Sequence, residues 1–218
     1  MYQIRSATAG GVSWPAMDIY LDDEAMTLEV RTLGELIHAA QGVLQPRGRV
    51  LTEVHYDGQE LSAEQMMVGG DEPIAATEVR LYSAEPAELA LGALEGARQE
   101  LEKIDTAQKE AAELFQSDRE LDAMTNMRQV IQSWQDVQQA IQHSAEITDV
   151  PLEQMTVDGR SVLELADRLA DQLRELQELL VNQDTLATAD VLQYEWPDTV
   201  ATWDRLVETL MQRIQSGS

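Results

Sequence analysis

Short runs in which apolar and polar residues alternate dominate the first part of the chain and predict β-strands. In the run 27–31 (TLEVR), Leu28 and Val30 share one face and the polar residues share the other, which is typical of a strand with one buried face. Similar β-prone runs predict three further strands, at 18–21, 50–56 and 78–82. Tight turns are predicted at the carboxylates of 22–24 and at the Asp57-Gly58 dipeptide.

Between the predicted strands 27–31 and 50–56, apolar residues recur every three or four positions, which predicts a helix. The apolar positions that share its face are Leu33, Ile37, Ala40 and Val43. Thr32 is a suitable N-terminal cap, and Glu35 follows it at the spacing of a capping box. Pro46, Arg47 and Gly48 then end the helix.

This order of elements resembles the ubiquitin-like β-grasp fold. The resemblance rests on the first hairpin with its Thr-Leu-Glu-Val run at 27–30, on the helix directly after it, and on the run 54–61 (VHYDGQEL). The run 77–81 (TEVRL) is similar to the closing strand of that family. The resemblance implies a β-grasp domain over residues 17–83. Residues 1–16 show no apolar period, and we expect them to form a flexible arm. Another small α+β domain with the same element order is the alternative.

The sequence differs from the ubiquitin-like family in three ways that bear on function. Conjugated members of the ubiquitin-like family end in Gly-Gly after the closing strand, but here residues 83–86 (SAEP) follow and the chain continues. His55 stands where the family's apolar recognition patch has an aliphatic residue. The chain has only two lysines, Lys103 and Lys109, and both lie outside this region. We therefore expect no conjugation, and we regard His55 as a candidate partner-binding residue of a different kind.

From residue 87 to residue 216 the pattern is helical throughout. Four apolar stripes are separated by breaks, and their first members are Leu94, Leu121, Val162 and Val200. The third stripe is the most regular and is opened by a second capping box, Ser161 with Glu164, with Leu173 in its middle. Four stripes predict an antiparallel helical bundle with coiled-coil-like packing. Because the stripes are narrow, a homodimer through this half is one expectation and a closed monomeric four-helix bundle is the other.

A cluster of aromatic residues follows the third stripe. Tyr194, Trp196 and Pro197 lie next to each other around a helix break, and Trp203 lies two turns further on. Aromatic residues beside a break often complete a core, but they also serve as anchors for a partner. Tyr194, Trp196 and Trp203 are therefore candidate partner-binding residues.

Composition limits the range of functions to be considered. The 218 residues carry 40 acidic and 15 basic side chains, a net charge of −25, with no cysteine. Such charge disfavours nucleic acid and anionic membranes, and it suits either solubility or attraction to a basic partner. No apolar run reaches the length of a membrane span, and the N-terminus lacks the pattern of a signal peptide. The sequence thus predicts a cytoplasmic protein without disulfide bonds.

The sequence predicts no catalytic residues, no metal site and no cofactor. Glu35 and His38 have the Glu-x-x-His spacing of di-metal bundles, but the chain lacks the second such pair. With three histidines and no cysteine, no spacing supports zinc. We expect a non-enzymatic protein–protein interaction module (adaptor, scaffold or chaperone-like) that uses helix faces. The alternatives are an enzyme or a ligand or metal binder with a pocket in the bundle, and an acidic mimic that binds basic proteins.

Overall fold

The computed structural model describes residues 17–217, with the backbone alone at Ala63 and Met67. The predicted N-terminal arm, residues 1–16, lies outside the described residues. The chain divides into two compact units, Met1–Glu85 and Pro86–Ser218. The first contains a mixed five-stranded sheet and the second is helical, which confirms the predicted α+β class.

The first unit is a five-stranded sheet with one long helix. The strands are β1 Asp18–Leu21, β2 Glu24–Met26, β3 Val50–Tyr56, β4 Gln59–Glu60 and β5 Glu78–Ala84. Strand β1 pairs in parallel with β5, and the remaining pairs are antiparallel, in the order β2-β1-β5-β3-β4. The helices are α1 Leu33–Leu44 and the short α2 Ala63–Val68.

The core of this unit lies between α1 and one face of the sheet. Leu36 and Ala40 of α1 are fully buried, as are Val54, Val79 and Leu81 of the central strands. Thr32 caps α1 as predicted, since its hydroxyl accepts a hydrogen bond from the Glu35 N–H at 3.2 Å. The Glu35 carboxylate, however, accepts from the N–H of Arg31 at 2.7 Å instead of that of Thr32.

The second strand lies earlier in the chain than the alternation predicted. Asp22 and Asp23 both have positive φ (49° and 64°), which makes a two-residue turn, and the partner strand therefore starts at Glu24. The predicted run 27–31 is not a strand, although Leu28 and Val30 are still partly buried against the core. The alternation therefore predicts the partial burial of Leu28 and Val30 correctly, but it predicts wrongly that the run pairs as a β-strand.

The second unit consists of long helices around a single core. Helix α3 packs against α4, α6 and α7. The helices are α3 Pro86–Gln116, α4 Glu120–Ile147, α5 Val162–Val181, α6 Thr185–Asp190 and α7 Trp196–Gly217. A small hairpin of β6 Thr156–Val157 and β7 Arg160–Ser161 precedes α5. The predicted capping box is confirmed, because the Ser161 N–H donates to the Glu164 carboxylate at 2.7 Å and the Glu164 N–H donates to the Ser161 hydroxyl at 3.2 Å.

The buried face of α4 differs at its start from the predicted stripe. Leu121, at the beginning of that stripe, is 86% exposed, whereas the small Ala123 is fully buried and Val130 is 1% exposed. Small residues allow neighbouring helices to approach closely, so they occupy the contact line with α3 although their hydrophobic signal is weak. The predicted stripe continues through Trp134, Val137 and Ile141, and these three residues are buried as predicted.

Three helices of this unit end in the same backbone turn, with a residue other than glycine in the left-handed conformation. Asp118, Asp149 and Gln183 have φ values of 56°, 54° and 56°. In each turn the following N–H bonds back to a carbonyl five residues earlier, as Asp184 does to Leu179 at 3.0 Å. This is the Schellman arrangement, in which glycine is the usual left-handed residue.

The predicted break near Pro197 is a change of helix type. Residues Val191–Glu195 form a π-helical turn between α6 and α7, and the N–H of Trp196 bonds to the carbonyl of Val191. Proline lacks an N–H and its ring collides with the carbonyl four residues earlier, here that of Gln193. The wider π turn accommodates Pro197 without ending the helix.

Leucine truncations in α5 test the core. Leu173, the middle of the predicted stripe, is only half-buried, whereas Leu169 is fully buried. We expect Leu169→Ala to lower the free energy of unfolding by about 2–5 kcal/mol, and Leu173→Ala to lower it less. Urea unfolding of both variants checks this order, and a larger loss for Leu173→Ala would contradict it.

Replacing Gln183 by glycine tests the left-handed turn. Because a side chain in this conformation costs about 1–2 kcal/mol, Gln183→Gly is expected to stabilise the protein by about 1 kcal/mol despite the greater freedom of glycine in the unfolded chain. Thermal melts measure the effect. The same change at Asn182, whose φ is −79°, is the control and is expected not to stabilise.

Candidate functional site

A groove of about 790 Å³ opens on the surface of the helical unit. It is bounded by the C-terminal part of α4, the connection that follows, and the N-terminal part of α5, with Trp203 of α7 at its floor. Its apolar lining is Ile141, Ala145, Val150, Pro151, Leu152, Val162, Ala166 and Trp203. Its polar lining is Gln138, Gln142, Glu146, Asp149 and Glu153. The groove therefore has an apolar floor and an acidic rim.

The turn at the end of α4 shapes one wall of the groove. Asp149 takes the left-handed conformation, and the N–H of Val150 donates to the carbonyl of Ala145 at 2.9 Å. The Thr148 hydroxyl donates to the carbonyl of Ser144 at 2.6 Å, which satisfies a further free carbonyl of the helix end. Val150 is thereby folded back towards Ala145, and both line the floor.

The rim is electrostatically unbalanced. Glu146, Asp149 and Glu153 are exposed, and within the described chain no lysine or arginine forms an ion pair with any of them. Glu146 accepts a hydrogen bond from the side-chain amide of Gln142 at 2.9 Å, which leaves its charge uncompensated. The C-terminal end of α4 adds the negative end of a helix dipole. The rim therefore favours a cation.

The aromatic candidates divide between surface and core. Tyr194 is 69% exposed, whereas Trp196 and Trp203 are 0% and 4% exposed. Trp134 lies between the two buried tryptophans, with ring centroids 5.5 Å from Trp203 and 6.5 Å from Trp196 in edge-to-face geometry. The burial of Trp196 favours a core role, which the sequence offered as one of two interpretations, over a partner-binding role. Trp203 also lies mainly in the core, and it contributes to the groove floor.

His55, the fourth candidate, lies on the face of the sheet opposite α1. Its Nε2 is 2.7 Å from a carboxylate oxygen of Glu53, and its ring meets Tyr82 edge-on at 5.0 Å. Glu60 on β4 is its direct cross-strand partner. Ligand atoms of Glu53, His55 and Glu60 all lie within 4.8 Å of one another. Sequence reasoning missed this cluster, although the Glu-x-His run and the two-residue turn after it were the signal.

The pair noted for its Glu-x-x-His spacing does not form such a cluster. The Glu35 carboxylate serves the N-terminus of α1, and His38 is exposed on the same helix. No group of three metal-ligating side chains found among the described residues includes either of them. Glu35 thus has a role at the N-terminus of the helix, in which His38 takes no part.

A second, smaller cavity of about 430 Å³ lies in the first unit, beside α2. The hydroxyl of Tyr56 is buried at this cavity, and among the described residues it has no hydrogen-bond partner. Burial, and then the charge of Glu72, raise the pKa of Tyr56 to about 12. The phenol therefore stays protonated at neutral pH, so Tyr56 can donate a hydrogen bond but is unsuited to act as a base.

Comparison with known proteins identifies the helical unit. A family model described as a domain of unknown function, DUF8042, matches residues 93–206. This span is more than half of the 218 residues. The chain belongs to the DUF8042 family. No curated protein and no solved structure gives a significant match.

The DUF8042 match contains every residue that lines the groove, from Gln138 to Trp203. The groove is thus a feature of the DUF8042 region itself. Among the described helices of this DUF8042 protein, none combines the length and the apolar character that a membrane crossing needs.

Asp57 holds the β3–β4 turn to the start of β5. One oxygen of its carboxylate accepts hydrogen bonds from the Thr77 N–H at 3.0 Å, the Thr77 hydroxyl at 2.7 Å and the Glu78 N–H at 2.9 Å. The Thr77 hydroxyl and the two backbone donors lower the pKa of Asp57. Because the folded-state pKa is lowered, the charge stabilises the fold above the unfolded pKa of about 3.9, and this contribution is lost as the pH falls through the folded value.

Asp57→Asn tests this contribution, because asparagine also tolerates positive φ. We expect the variant to melt at a lower temperature than the wild type at pH 7, since it loses the charge that the three donors stabilise. The difference shrinks as the pH falls from about 4 through the lowered pKa of Asp57, below which the wild-type carboxylate is protonated too. Asp71→Asn, at an exposed carboxylate in the same unit, is the control. A difference that does not change with pH would contradict the assignment.

Proposed function

We propose that this chain is a non-enzymatic protein-binding module whose helical unit receives a cationic, amphipathic segment of a partner protein in the groove between α4 and α5. The observation that carries the proposal is the combination of an apolar floor with a rim of three carboxylates that have no cationic partner in the described chain.

The floor supports the apolar half of this recognition. A volume of about 790 Å³ falls in the range of roughly 300–1,000 Å³ that is usual for ligand sites. Leu152, Val162 and Ala166 are partly exposed at its surface, so they gain burial when a partner side chain covers them. An open groove between helix ends suits apolar side chains that project from one face of a segment.

The rim supports the cationic half. Glu146, Asp149 and Glu153 lie in a chain of net charge −25, so the local field and the overall field have the same sign. At physiological salt the Debye length is about 8 Å, which restricts the specific attraction to groups at the rim. The overall charge increases the association rate and repels anionic competitors.

For the first unit we propose a ubiquitin-like β-grasp module that binds without conjugation. The order β2-β1-β5-β3-β4, with parallel central strands and α1 across one face, supports the resemblance drawn from the sequence. The outer face is polar: Arg80 pairs with Glu78 and Asp23, each at 2.8 Å, and lies over the ring of Tyr20. A face of this kind favours polar partners over the apolar ones that ubiquitin-like patches bind.

The other hypotheses predict different results in a peptide-binding experiment. An acidic mimic would bind basic proteins through charge alone, so substitutions in the groove floor would not affect it. A small-molecule or enzymatic site would use the floor without needing the cationic half. The homodimer remains a prediction. The narrow apolar stripes that suggested it are largely buried within the unit, which weakens the argument for it.

Peptide binding tests the proposal. A labelled helical peptide of leucine and lysine, and its counterpart with glutamate in place of lysine, are titrated with the full chain and followed by fluorescence anisotropy. We expect only the cationic peptide to bind. Asp149→Asn with Glu153→Gln is expected to weaken binding about three- to tenfold, as the loss of two exposed ion pairs does.

Control variants distinguish binding in the groove from attraction by the overall charge of the chain. Glu110→Gln with Glu113→Gln removes the same charge from exposed positions of α3 and is expected to leave affinity unchanged. Ala166→Gln fills the floor with a good helix former and is expected to weaken binding, whereas Ala170→Gln, at an exposed position of the same helix, is not. Equal binding of both peptides, or equal effects of groove and control variants, would contradict the proposal.

A further inference from the structure

Three side chains on the β3–β4 hairpin form a cluster of metal-ligating type. Glu53 and His55 lie on β3 and Glu60 lies on β4, and one ligand atom from each lies within 4.8 Å of the other two. His55 Nε2 lies 2.7 Å from a carboxylate oxygen of Glu53. The cluster belongs to the first unit and shares no residue with the groove, so the inference does not rest on the docking of a partner segment there.

The backbone itself brings these three residues together. Alternation along a strand puts positions 53 and 55 on the same face of the sheet. Asp57 and Gly58, both at positive φ (48° and 83°), make the two-residue turn that pairs Tyr56 with Gln59 and His55 with Glu60. The hydrogen bonds from Thr77 and Glu78 to Asp57 hold this turn in place. The relative positions of the three Cα atoms are therefore fixed before any metal binds.

The donor set suits zinc. One imidazole nitrogen and two carboxylate oxygens are three of the ligand types that Zn²⁺ binds at about 2.0–2.2 Å, and three protein ligands with a water at the fourth position are an established arrangement. Donor atoms at tetrahedral positions around such an ion are separated by roughly 3.4 Å. The separations in the cluster, from 2.7 Å to at most 4.8 Å, span this value. Side-chain rotation alone can therefore bring the three atoms to coordination distance.

The surroundings also favour a cation. Arg80 is the cross-strand neighbour of His55 on β5, but its guanidinium is paired with Glu78 and Asp23 at 2.8 Å. Among the described residues, no lysine or arginine forms an ion pair with Glu53 or Glu60, so their negative charge is not compensated by a basic side chain. A divalent ion would relieve the repulsion between Glu53 and Glu60.

The imidazole is oriented towards the carboxylates. The edge-to-face contact with Tyr82 at 5.0 Å limits rotation of the His55 ring, and His55 is the least exposed member of its pair, with 21% of its side chain exposed against 46% for Glu53. A ligand held by its neighbours loses less freedom when a metal binds.

We propose that Glu53, His55 and Glu60 form a binding site for Zn²⁺ or a similar divalent transition metal, with a fourth position open to solvent. The ion would link β3 to β4, the edge strand of the sheet, and would stabilise the first unit by binding only its folded form. The single histidine distinguishes the site from the many carboxylate pairs on this acidic chain, because imidazole selects transition metals over Mg²⁺ and Ca²⁺.

Titration of the full chain with Zn²⁺ alone tests the proposal. Isothermal titration calorimetry is carried out in buffer from which transition metals have been removed and to which excess Mg²⁺ has been added, so that Mg²⁺ occupies simple carboxylate sites. We expect one Zn²⁺ per chain. His55→Ala is expected to weaken binding by at least about tenfold, since loss of even an outer-sphere partner costs that much. His38→Ala and His143→Ala remove the other two histidines, both exposed, and are expected to leave affinity unchanged.

A second pair of variants covers loss of folding in His55→Ala. Glu53→Gln with Glu60→Gln keeps the side-chain size and is expected to abolish both Zn²⁺ binding and the Zn²⁺-dependent rise in melting temperature. Glu24→Gln with Glu29→Gln, at exposed positions of the same unit, is expected to retain both. Binding that excess Mg²⁺ displaces, or that survives in His55→Ala and in the Glu53/Glu60 variant, would overturn the proposal.

Discussion

The packing of three tryptophans is the interaction on which the helical unit depends. Trp134 of α4 contacts Trp196 and Trp203, which lie two turns apart on α7, and all three are at most 4% exposed. Among the described residues, the indole N–H groups of Trp134 and Trp196 have no partner, which costs about 1–3 kcal/mol each. Burial of an aromatic side chain removes about 150–250 Å² from water and contributes roughly 4–6 kcal/mol. The free energy gained by burial therefore exceeds the cost of the two unpaired N–H groups, and Trp203 joins this packing to the lining of the groove.

The acidity of the chain has a structural origin as well as an electrostatic effect. Of the seven described residues other than glycine with positive φ, six are aspartates, located at 22, 23, 57, 118, 149 and 158. Aspartate tolerates this conformation better than most residues, so the tight turns and helix ends of this fold are built with carboxylates where glycine is usual. Asp149 shows the consequence, because the residue that turns the chain after α4 also charges the groove rim. Asp57 turns the hairpin that carries His55 in the same way.

The sequence predicted correctly those features that depend only on residues close to each other in the chain. The strand β3, its turn and the capping box of Ser161 with Glu164 follow from residues within a few positions of each other, and all three are observed as predicted. The face of α4 was predicted wrongly at its start because burial there depends on close approach of α3, which favours Ala123 over Leu121. The groove could not be predicted, since it joins α4, α5 and Trp203 across tertiary contacts. The cluster around His55 could have been, because a two-residue turn after Tyr56 fixes the partner of His55 as Glu60.

The two proposed sites differ in what part of the chain they depend on. The groove lies wholly inside the span 93–206 that defines membership of the DUF8042 family, whereas Glu53, His55 and Glu60 lie outside it. The residues proposed to bind a cationic segment therefore all come from the family region. The proposed metal site instead uses residues of the five-stranded sheet in the first unit. The two proposed sites share no residue, so substitutions can test each of them separately.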